Sequence, residues 1–399
     1  MFKNSTGKLL AYLALPFLLA TGCVKEKKTE TQTTTTTKAA AAPPSDEIVI
    51  GAVFPMTGAI ATYGQESVNG IKMALDKINA EGKLTKKIRL IVEDNKGEPV
   101  DSSNAVRKLI NIDNVHAIIG SVASSNTLAG APIAQENQVP MMTPASTNEK
   151  VTETGDFISR TCFTDNFQGV VMAKFAKETL GKSKAIIIVD NSSDYSKGLA
   201  KVFSEEFKNM GGELLGNINE YTYTQKDTDF RSLLQKVKRM NPDVIFLPGY
   251  YTEVGLMLKQ ARQLGINVPF LGGDGWDSPK LQELAGPEAI KGNYISSHFS
   301  ADDKDPQVQK FVQEYETNFK QKPGAMAALG YDGMLVMADA LSRAGELSRE
   351  NIKKAITATA NFTGITGNIT IDANRNAKKS AVVLETTPTG MVFKQKVNP

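Results

Sequence analysis

From residue 47 to about residue 300, short apolar runs alternate with stretches whose apolar residues recur at helical spacing. In the first half the apolar runs cover residues 47–54, 87–92, 115–119, 139–142 and 157–161, and helical spacing is clear over 65–78 and 102–112. Short apolar runs separated by helices are typical of parallel strands that are covered on both faces. The alternation therefore predicts an α/β fold in which helices flank parallel sheets.

A second series of the same kind begins at residue 184. It predicts strands over 184–189, 212–221, 243–247 and 268–271, with helices over 197–210, 230–240 and 254–264. Three more helical stretches (308–319, 325–344 and 349–359) lead into a β-rich tail that contains residues 369–372, 381–384 and 391–396. We therefore expect two doubly wound, Rossmann-like lobes joined by a hinge near residues 162–169.

The N-terminal segment does not belong to this pattern. Lys3 and Lys8 precede an apolar stretch at residues 9–19, which is too short to span a bilayer and is typical of a signal peptide over residues 1–22. Small residues lead into Cys23, an arrangement that resembles a bacterial lipobox and predicts cleavage before this cysteine and its acylation. A plain signal peptide with an incidental cysteine is the alternative. Residues 23–46 are charged and rich in Thr, Ala and Pro, so we expect a lipidated Cys followed by a flexible tether.

Residue counts exclude several functions for the folded part. The 399-residue chain has two Cys and two His, so Cys162 is left without an internal disulfide partner, and His116 and His298 are too few for a metal cluster or a Cys/His dyad. The net charge is +3 and no basic block interrupts the folded part, which argues against nucleic-acid binding. We therefore expect no cofactor and no enzymatic activity.

The loops that follow the predicted strands differ between the lobes. Ligands of open α/β sheets bind beyond the carboxyl ends of the strands. In the first lobe these loops, among them GSVASSNT at 120–127 and TPASTN at 143–148, offer hydroxyl and N–H groups and contain no acid. In the second lobe the loops at 190–195, 248–252 and 272–277 offer carboxylates and aromatic rings. A carboxylate suits the first set and an ammonium suits the second, so the loops predict a small zwitterionic ligand held between the lobes.

Several segments, in one order along the chain, resemble bacterial branched-chain amino-acid-binding proteins, the type I solute receptors of ABC importers. They are PMTGAIATYGQESVNG at 55–70, IIGSVASSNTLAGAPIAQENQVPMMTPASTN at 118–148, DYSKGLA at 194–200, PGYYTEVGLMLKQARQLG at 248–265 and the Gly-Asp-Gly loop at 273–275. The resemblance spans residues 47 to about 398. It implies a type I periplasmic binding protein fold, with the first lobe at 47–163 plus about 300–373 and the second at 164–299 plus about 374–399.

The resemblance also implies which residues meet the ligand. The ligand carboxylate is expected on Ser124, the Ala145 backbone and Thr147, and the ammonium on Tyr250 and Asp274. Further pocket-lining positions carried over in the same way are Tyr63, Tyr195, Val122 and Ala123. The implied partners are a small amino acid and a membrane permease, and the implied location is outside the cytoplasm on a lipid-anchored receptor.

Two positions depart from the pattern of the family. Asp274 stands where some relatives have Glu, so the shorter side chain must bring the ammonium closer or act through a water molecule. Ala123 stands where relatives can carry one Cys of a disulfide.

Other interpretations remain open from the sequence. Ser124 can serve only as a helix cap, Asp274 can serve only as a turn residue, and Trp276 either covers the ligand or packs beneath its loop. The same fold could bind a small amide, urea or an aromatic acid instead of an amino acid. A sensory ligand-binding protein is a further alternative.

Overall fold

The computed structural model describes residues 46–82 and 84–399. The expected signal peptide, Cys23 and nearly all of the tether therefore lie outside the described residues. The strands, in chain order, are β1 (Ile48–Phe54), β2 (Ile88–Asp94), β3 (Ala117–Gly120), β4 (Met141–Thr143), β5 (Ile158–Arg160), β6 (Lys184–Ile187), β7 (Val189–Asp190), β8 (Glu213–Leu214), β9 (Thr222–Tyr223), β10 (Val244–Phe246), β11 (Phe270–Gly272), β12 (Asn293–Ser297), β13 (Phe362–Gly364), β14 (Gly367–Ile371), β15 (Ala377–Lys378), β16 (Ala381–Thr387) and β17 (Gly390–Val397).

The helices lie mainly between successive strands, as the alternation predicted. They are α1 (Ala61–Glu81), α2 (Pro99–Asn111), α3 (Ser124–Glu136), α4 (Lys150–Glu153), α5 (Asp165–Lys174), α6 (Asp194–Asn209), α7 (Arg231–Arg239), α8 (Tyr251–Gln263), α9 (Lys280–Ala285), α10 (Pro306–Phe319), α11 (Ala325–Arg343) and α12 (Arg349–Thr357). Among the described residues, no helix combines the length and the apolar character needed to cross a membrane.

The first lobe is built around a five-stranded sheet in the order β2-β1-β3-β4-β5, and every neighbouring pair in it is parallel. All seven residues of β1 are buried, as expected for a central strand that helices cover on both faces. Helices α1 and α11 pack against one face with their backbones in close approach. A Cβ atom on Gly70 would lie 2.0 Å from the carbonyl oxygen of Ala327, so this approach requires glycine.

The second lobe is built around a seven-stranded sheet in the order β17-β16-β12-β11-β10-β6-β8. The strands from β8 to β12 in this order are parallel, whereas β16 and β17 from the C-terminal tail are antiparallel. The chain leaves the first sheet after β5, returns after β12 to α10, α11 and α12, and enters the second sheet again at β16. The expected fold class, two α/β lobes joined by crossing segments, is confirmed.

One predicted strand, at residues 212–221, is wrong. Only Glu213–Leu214 pairs there, and a 3-10 turn follows at Ile218–Glu220. Gly216 has a φ of +77°, and the Asn217 side chain accepts the N–H of Asn219 at 3.0 Å. A left-handed glycine and a local side-chain turn both interrupt strand pairing, which the apolar residues of this segment did not reveal.

Candidate ligand-binding site

The carboxyl ends of the strands in the two sheets meet at one interface, where the lobes are closed on each other. Tyr63 of α1 donates its hydroxyl to the carbonyl oxygen of Gly275 in the second lobe. The Thr252 hydroxyl donates to the Ala59 carbonyl at 2.7 Å, and Lys226 lies 2.7 Å from the Glu98 carboxylate at the rim. The residues between these contacts are shielded from water, where electrostatic interactions are stronger than on the surface.

The turn between β3 and α3 supplies the first wall of this interface. Gly120 ends the strand with a φ of +133°, and a Cβ atom there would lie 2.3 Å from the Val53 carbonyl oxygen. Only glycine fits such a position, and it turns the chain sharply into the helix. The N-cap of α3 is Ala123 and Ser124 is the first helical residue, so the alternative in which Ser124 serves only as the helix cap is not supported. No side chain of the described residues caps α3, so the first N–H groups of the helix and the positive end of its dipole face this wall.

The Ser124 side chain is positioned to donate. It is 1% exposed, and its Oγ accepts the Asn148 N–H at 3.3 Å, which leaves the hydroxyl proton available. Thr147 is equally buried and lies on the neighbouring loop. Its carbonyl oxygen accepts the Asp165 N–H at 2.9 Å. The two hydroxyl residues expected to bind a carboxylate are thus brought to one wall.

Hydrogen bonds of the Thr143 side chain hold the loop at 143–148 in place. Thr143 Oγ1 donates to the Ser121 carbonyl at 2.6 Å and accepts the N–H of Ala145 at 3.2 Å. The Ala145 N–H, predicted to donate to the ligand, therefore already makes a long hydrogen bond within its own loop. The same wall also contains three buried apolar residues, Val122, Ala123 and Ala145.

Arg160, which the sequence did not single out, supports this loop. Its guanidinium is fully buried and donates to the carbonyl oxygens of Ser146 at 2.8 Å and Asn148 at 2.7 Å. These two carbonyls flank Thr147, so Arg160 sets the position of the Thr147 side chain. Its positive charge also lies behind the hydroxyl wall, where it favours an anion.

Asp274 lies on the opposite wall, in the 3-10 turn Asp274–Trp276 that follows β11. The side chain is buried, and its Oδ1 atom has no hydrogen-bond partner among the described residues. A buried carboxylate oxygen without a donor is costly. Its free oxygen makes Asp274 the natural partner of a cationic group in the interface.

His298 holds the other oxygen of Asp274. Its Nε2 lies 3.0 Å from Asp274 Oδ2, and its ring stacks on Phe163 with centroids 3.6 Å apart. Burial lowers the pKa of His298, although Asp274 opposes the effect, so the ring is neutral near pH 7. A neutral ring that donates to Asp274 Oδ2 carries its proton on Nε2, and Nδ1 is then an acceptor that has no hydrogen-bond partner among the described residues. No local signal around His298 indicated this role.

A second buried acid, Asp165, faces Asp274. Gln168 joins the two acids, because its Nε2 donates to Asp165 Oδ1 at 2.9 Å and its Oε1 accepts the Asp274 N–H at 3.3 Å. The Oδ2 atom of Asp165 accepts no hydrogen bond in the described part of the chain. Burial raises the pKa of Asp165 to about 8 against the opposing effect of the Thr147 side chain beside it, and the Asp274 charge adds to the rise. Asp165, which lies within the expected hinge at residues 162–169, thus contributes a second acid to the site.

Aromatic rings close the sides of the interface. Tyr195 and Tyr250 stack with centroids 5.3 Å apart, and Tyr63 meets the edge of Tyr250 at 6.0 Å. The Tyr195 hydroxyl accepts the N–H of Gly275 at 3.1 Å, which fixes the Asp274 turn. Burial raises the pKa of all three tyrosines, so they stay neutral and can act as donors.

Trp276 lies beneath its loop. It is fully buried, its Nε1 donates to the Leu247 carbonyl at 2.9 Å, and its ring lies against Gly272 so closely that a Cβ atom there would clash. Of the two roles left open by the sequence, this placement favours packing under the Asp274 turn. Cys162 is buried and free, as predicted, and burial raises the pKa of its thiol to about 12.

The assembled interface has two chemically opposite ends. Hydroxyl groups and a helix N-terminus lie on the first lobe, and two carboxyl groups with free oxygens lie at the second. Within the described residues no three His, Cys, Asp or Glu side chains are grouped as metal ligands. Such an arrangement can hold a small molecule with separated negative and positive groups.

Two α/β lobes that bring hydroxyl and carboxyl groups together at their facing strand ends are typical of a two-lobed solute-binding protein. The family model described as periplasmic binding protein matches residues 47–387, and the chain belongs to this family. This is a family of binding proteins and not of enzymes.

Solved structures of similar chains support the same assignment. The leucine-binding protein LivK of Thermotoga maritima is 39% identical, with a TM-score of 0.83 over 88% of this chain and 99% of that one. The branched-chain amino acid transporter substrate-binding protein LivJ of Streptococcus pneumoniae, solved with isoleucine, is 32% identical, with a TM-score of 0.83 over 88% and 100%. A solute-binding protein of an ABC transporter from Rhodopseudomonas palustris, solved with 3,4-dihydroxybenzoic acid, is 26% identical, with a TM-score of 0.79 over 89% and 98%.

Proposed function

We propose that this protein captures an amino acid with an aliphatic, branched side chain between its two lobes and delivers it to an ABC import permease. The two similar proteins named for leucine binding and solved with isoleucine support this ligand class. Membership of the periplasmic binding protein family supports a role in solute capture outside the cytoplasm.

The observation that carries the proposal is the opposition of Ser124 and the α3 N-terminus to the free oxygens of Asp274 and Asp165. A carboxylate placed at the first wall would accept from the Ser124 hydroxyl and from the first N–H groups of the helix. An ammonium placed between the two acids would donate to Asp274 Oδ1 and Asp165 Oδ2. Each buried group that now lacks a partner would then gain one.

The surroundings of these polar groups favour an aliphatic side chain. Val122, Ala123 and the ring of Tyr63 are buried and apolar on the faces between the two ends. A methyl-branched side chain would bury its surface there without leaving a polar group unpaired.

Release and capture require the lobes to separate. We propose a hinge motion about the crossing segments, with the first lobe at 47–163 plus about 300–373 and the second at 164–299 plus about 374–399. The contacts between the lobes include hydrogen bonds, such as that of Thr252 with Ala59, which can exchange for water on opening. The closed, loaded form is the one that we expect to dock on the permease.

Export and anchoring form a further part of the proposal. Residues 1–22 would be removed as a signal peptide, and Cys23 would carry lipid at the start of the tether that ends at residue 46. Mass spectrometry of the membrane-extracted protein should find acylated Cys23 at its N-terminus. Recovery of the wild type in the aqueous phase after detergent partitioning would contradict the anchor.

A second candidate ligand is an aromatic carboxylic acid, which the Rhodopseudomonas palustris structure with a dihydroxybenzoic acid favours. Such a ligand would use the hydroxyl wall but would leave Asp274 and Asp165 unpaired, which disfavours it here.

The test begins with the ligand that co-purifies, identified by mass spectrometry of the denatured protein. Calorimetric titration of the emptied protein with leucine, isoleucine, valine, phenylalanine, benzoate, 3,4-dihydroxybenzoate and small amides should then give the tightest binding for a branched-chain amino acid. Preference for an aromatic acid or an amide over every amino acid would refute the proposal.

A further inference from the structure

Glu66 is a buried acid that the amino-acid site does not use. It lies on α1, one helical turn after Tyr63, and is 1% exposed. Neither of its carboxyl oxygens has a hydrogen-bond partner in the described structure. An ionised carboxylate would be strongly unfavourable in such surroundings.

The nearest charged partner of Glu66 is another acid, from the opposite lobe. Asp277 follows the Asp274 turn, is 7% exposed and accepts the Ser297 hydroxyl at 2.7 Å. A Cβ atom built on Gly324, at the start of α11, would lie 2.6 Å from Glu66 Oε2 and 3.3 Å from Asp277 Oδ1. The two carboxyl groups therefore border the same point at the lobe interface.

The surroundings distinguish the two acids. Asp277 also accepts the N–H of Ala325 at the N-terminus of α11, which favours its ionised form, whereas Glu66 has no donor. Burial, together with Asp277, raises the pKa of Glu66 well above its usual range, and burial raises the pKa of Asp277 to about 6. If Glu66 holds a proton, it becomes a donor and the Asp277 carboxylate beside it can accept.

Among the described residues, the other titratable groups that face the pair supply no counter-charge inside the buried interface. Tyr251 of α8 and Tyr315 of α10 face Glu66 and stay neutral because burial raises their pKa values. Asp274 faces Asp277 and adds negative charge. Lys322 lies on the wall of a cavity of about 590 Å³ beside Asp277 that opens to solvent.

We propose that Glu66 and Asp277 form a proton-binding latch between the lobes, so that closure on the ligand takes up a proton. The inference rests on the proposed function, because it requires lobes that open and close. When the lobes separate, both carboxyl groups meet water and return to ordinary pKa values of about 4.3 and 3.9. Both are then ionised at neutral pH, and closure must bind a proton to bring them together.

This proton uptake determines how ligand affinity depends on pH. Since the closed form holds the additional proton, ligand affinity rises as the pH falls and weakens as the pH rises. One linked proton changes the affinity by at most about tenfold per pH unit.

The test is calorimetric titration of the protein with leucine at pH 7 in phosphate and in Tris, whose different ionisation enthalpies give the number of protons taken up. The wild type should take up more protons than Glu66→Gln, whose neutral amide keeps the size of the side chain and can donate to Asp277. The control is Glu288→Gln, which removes an exposed carboxylate that pairs with Lys291 within the same lobe and should leave the proton count as in the wild type.

The result can be separated from the proposed function. Equal proton uptake by the wild type and Glu66→Gln, with leucine bound by both, would overturn the latch alone, whereas a wild type that binds no amino acid would overturn the proposed function. Small-angle scattering of the ligand-free protein tests the proposed latch independently of ligand binding. The radius of gyration should decrease from pH 8 to pH 5 in the wild type and Glu288→Gln but not in Glu66→Gln, and identical profiles would refute the latch.

Discussion

Nε2 of His298 lies 3.0 Å from Oδ2 of Asp274 in a fully buried contact, while Oδ1 of the same carboxylate has no hydrogen-bond partner among the described residues. The histidine thus fixes the orientation of the acid and leaves one oxygen available. The imidazole thus holds the short Asp274 side chain from the side away from its free oxygen.

We expect His298→Phe to weaken leucine binding by about tenfold or more, because it removes a buried donor from the Asp274 carboxylate, a loss of about 1–3 kcal/mol. Binding of 4-methylpentanoate, which is leucine without its amino group, should change much less. Calorimetry of both ligands measures the difference. His116→Asn is the matched control, since Nδ1 of His116 accepts the N–H of Val49 away from the site. An equal loss for the two ligands would argue against the role of His298 in positioning Asp274.

Asp274→Ala should reduce the binding free energy of leucine by about 2–5 kcal/mol, the usual cost of leaving one member of a buried charge pair alone. Asp229→Ala serves as the control, because the side chain of Asp229 is 65% exposed. Leucine affinity equal to that of the wild type in the Asp274 variant would show that the ammonium binds elsewhere.

Asp165→Asn should stabilise the ligand-free protein increasingly as the pH rises. The Asp165 carboxyl stays protonated up to about pH 8 in the folded chain but ionises near pH 4 when unfolded. The wild type therefore loses stability between these pH values, by up to about 1.4 kcal/mol per unit, and the amide variant does not.

Thermal unfolding at pH 5, 6.5 and 8 measures this difference. The control is Asp156→Asn, because Lys353 holds the pKa of Asp156 below its usual value and this variant should gain no stability as the pH rises. A constant difference between Asp165→Asn and the wild type at all three values would contradict the raised pKa of Asp165.

Arg160→Met should affect the anion end of the site. It leaves the carbonyl oxygens of Ser146 and Asn148 without their buried donor, so the free energy of unfolding should fall by at least about 2 kcal/mol. Because Thr147 lies between these carbonyls, leucine and 4-methylpentanoate should lose affinity by the same factor. Chemical denaturation and calorimetry test the two effects, with the exposed Arg231→Met as control. A loss confined to leucine would place the effect of Arg160 at the ammonium end instead.

Trp276→Phe should reduce stability more than affinity. The indole N–H that pairs with the Leu247 carbonyl is lost, at a cost of about 1–3 kcal/mol, while the Asp274 turn retains its bond to Tyr195. Leucine affinity should stay within about threefold, a change below 0.7 kcal/mol or so. A tenfold weaker complex without loss of stability would indicate that the indole touches the ligand.

Much of the architecture could be predicted from local sequence patterns. Apolar runs alternating with helical periodicity predicted most of the strands and helices, since burial on both faces of a parallel sheet requires such runs. The hydroxyl-rich turn at Ser124 and the acid at Asp274 could be identified as opposing partners because each directly follows a strand. The strand predicted at residues 212–221 was wrong because Gly216 and Asn217 turn the chain there, although the apolar residues around them favoured a strand.

The sequence by itself determined two α/β lobes and the chemical character of the loops at their strand ends. Only the tertiary structure decided which distant groups share one buried space: His298 behind Asp274, Gln168 between Asp165 and Asp274, and Glu66 beside Asp277. The physical reason is that a side chain's charge state and partners depend on burial and on contacts across the lobes. Neither property produces a periodic pattern in the sequence. A single acid or histidine therefore looks the same in the sequence whether it is exposed or buried.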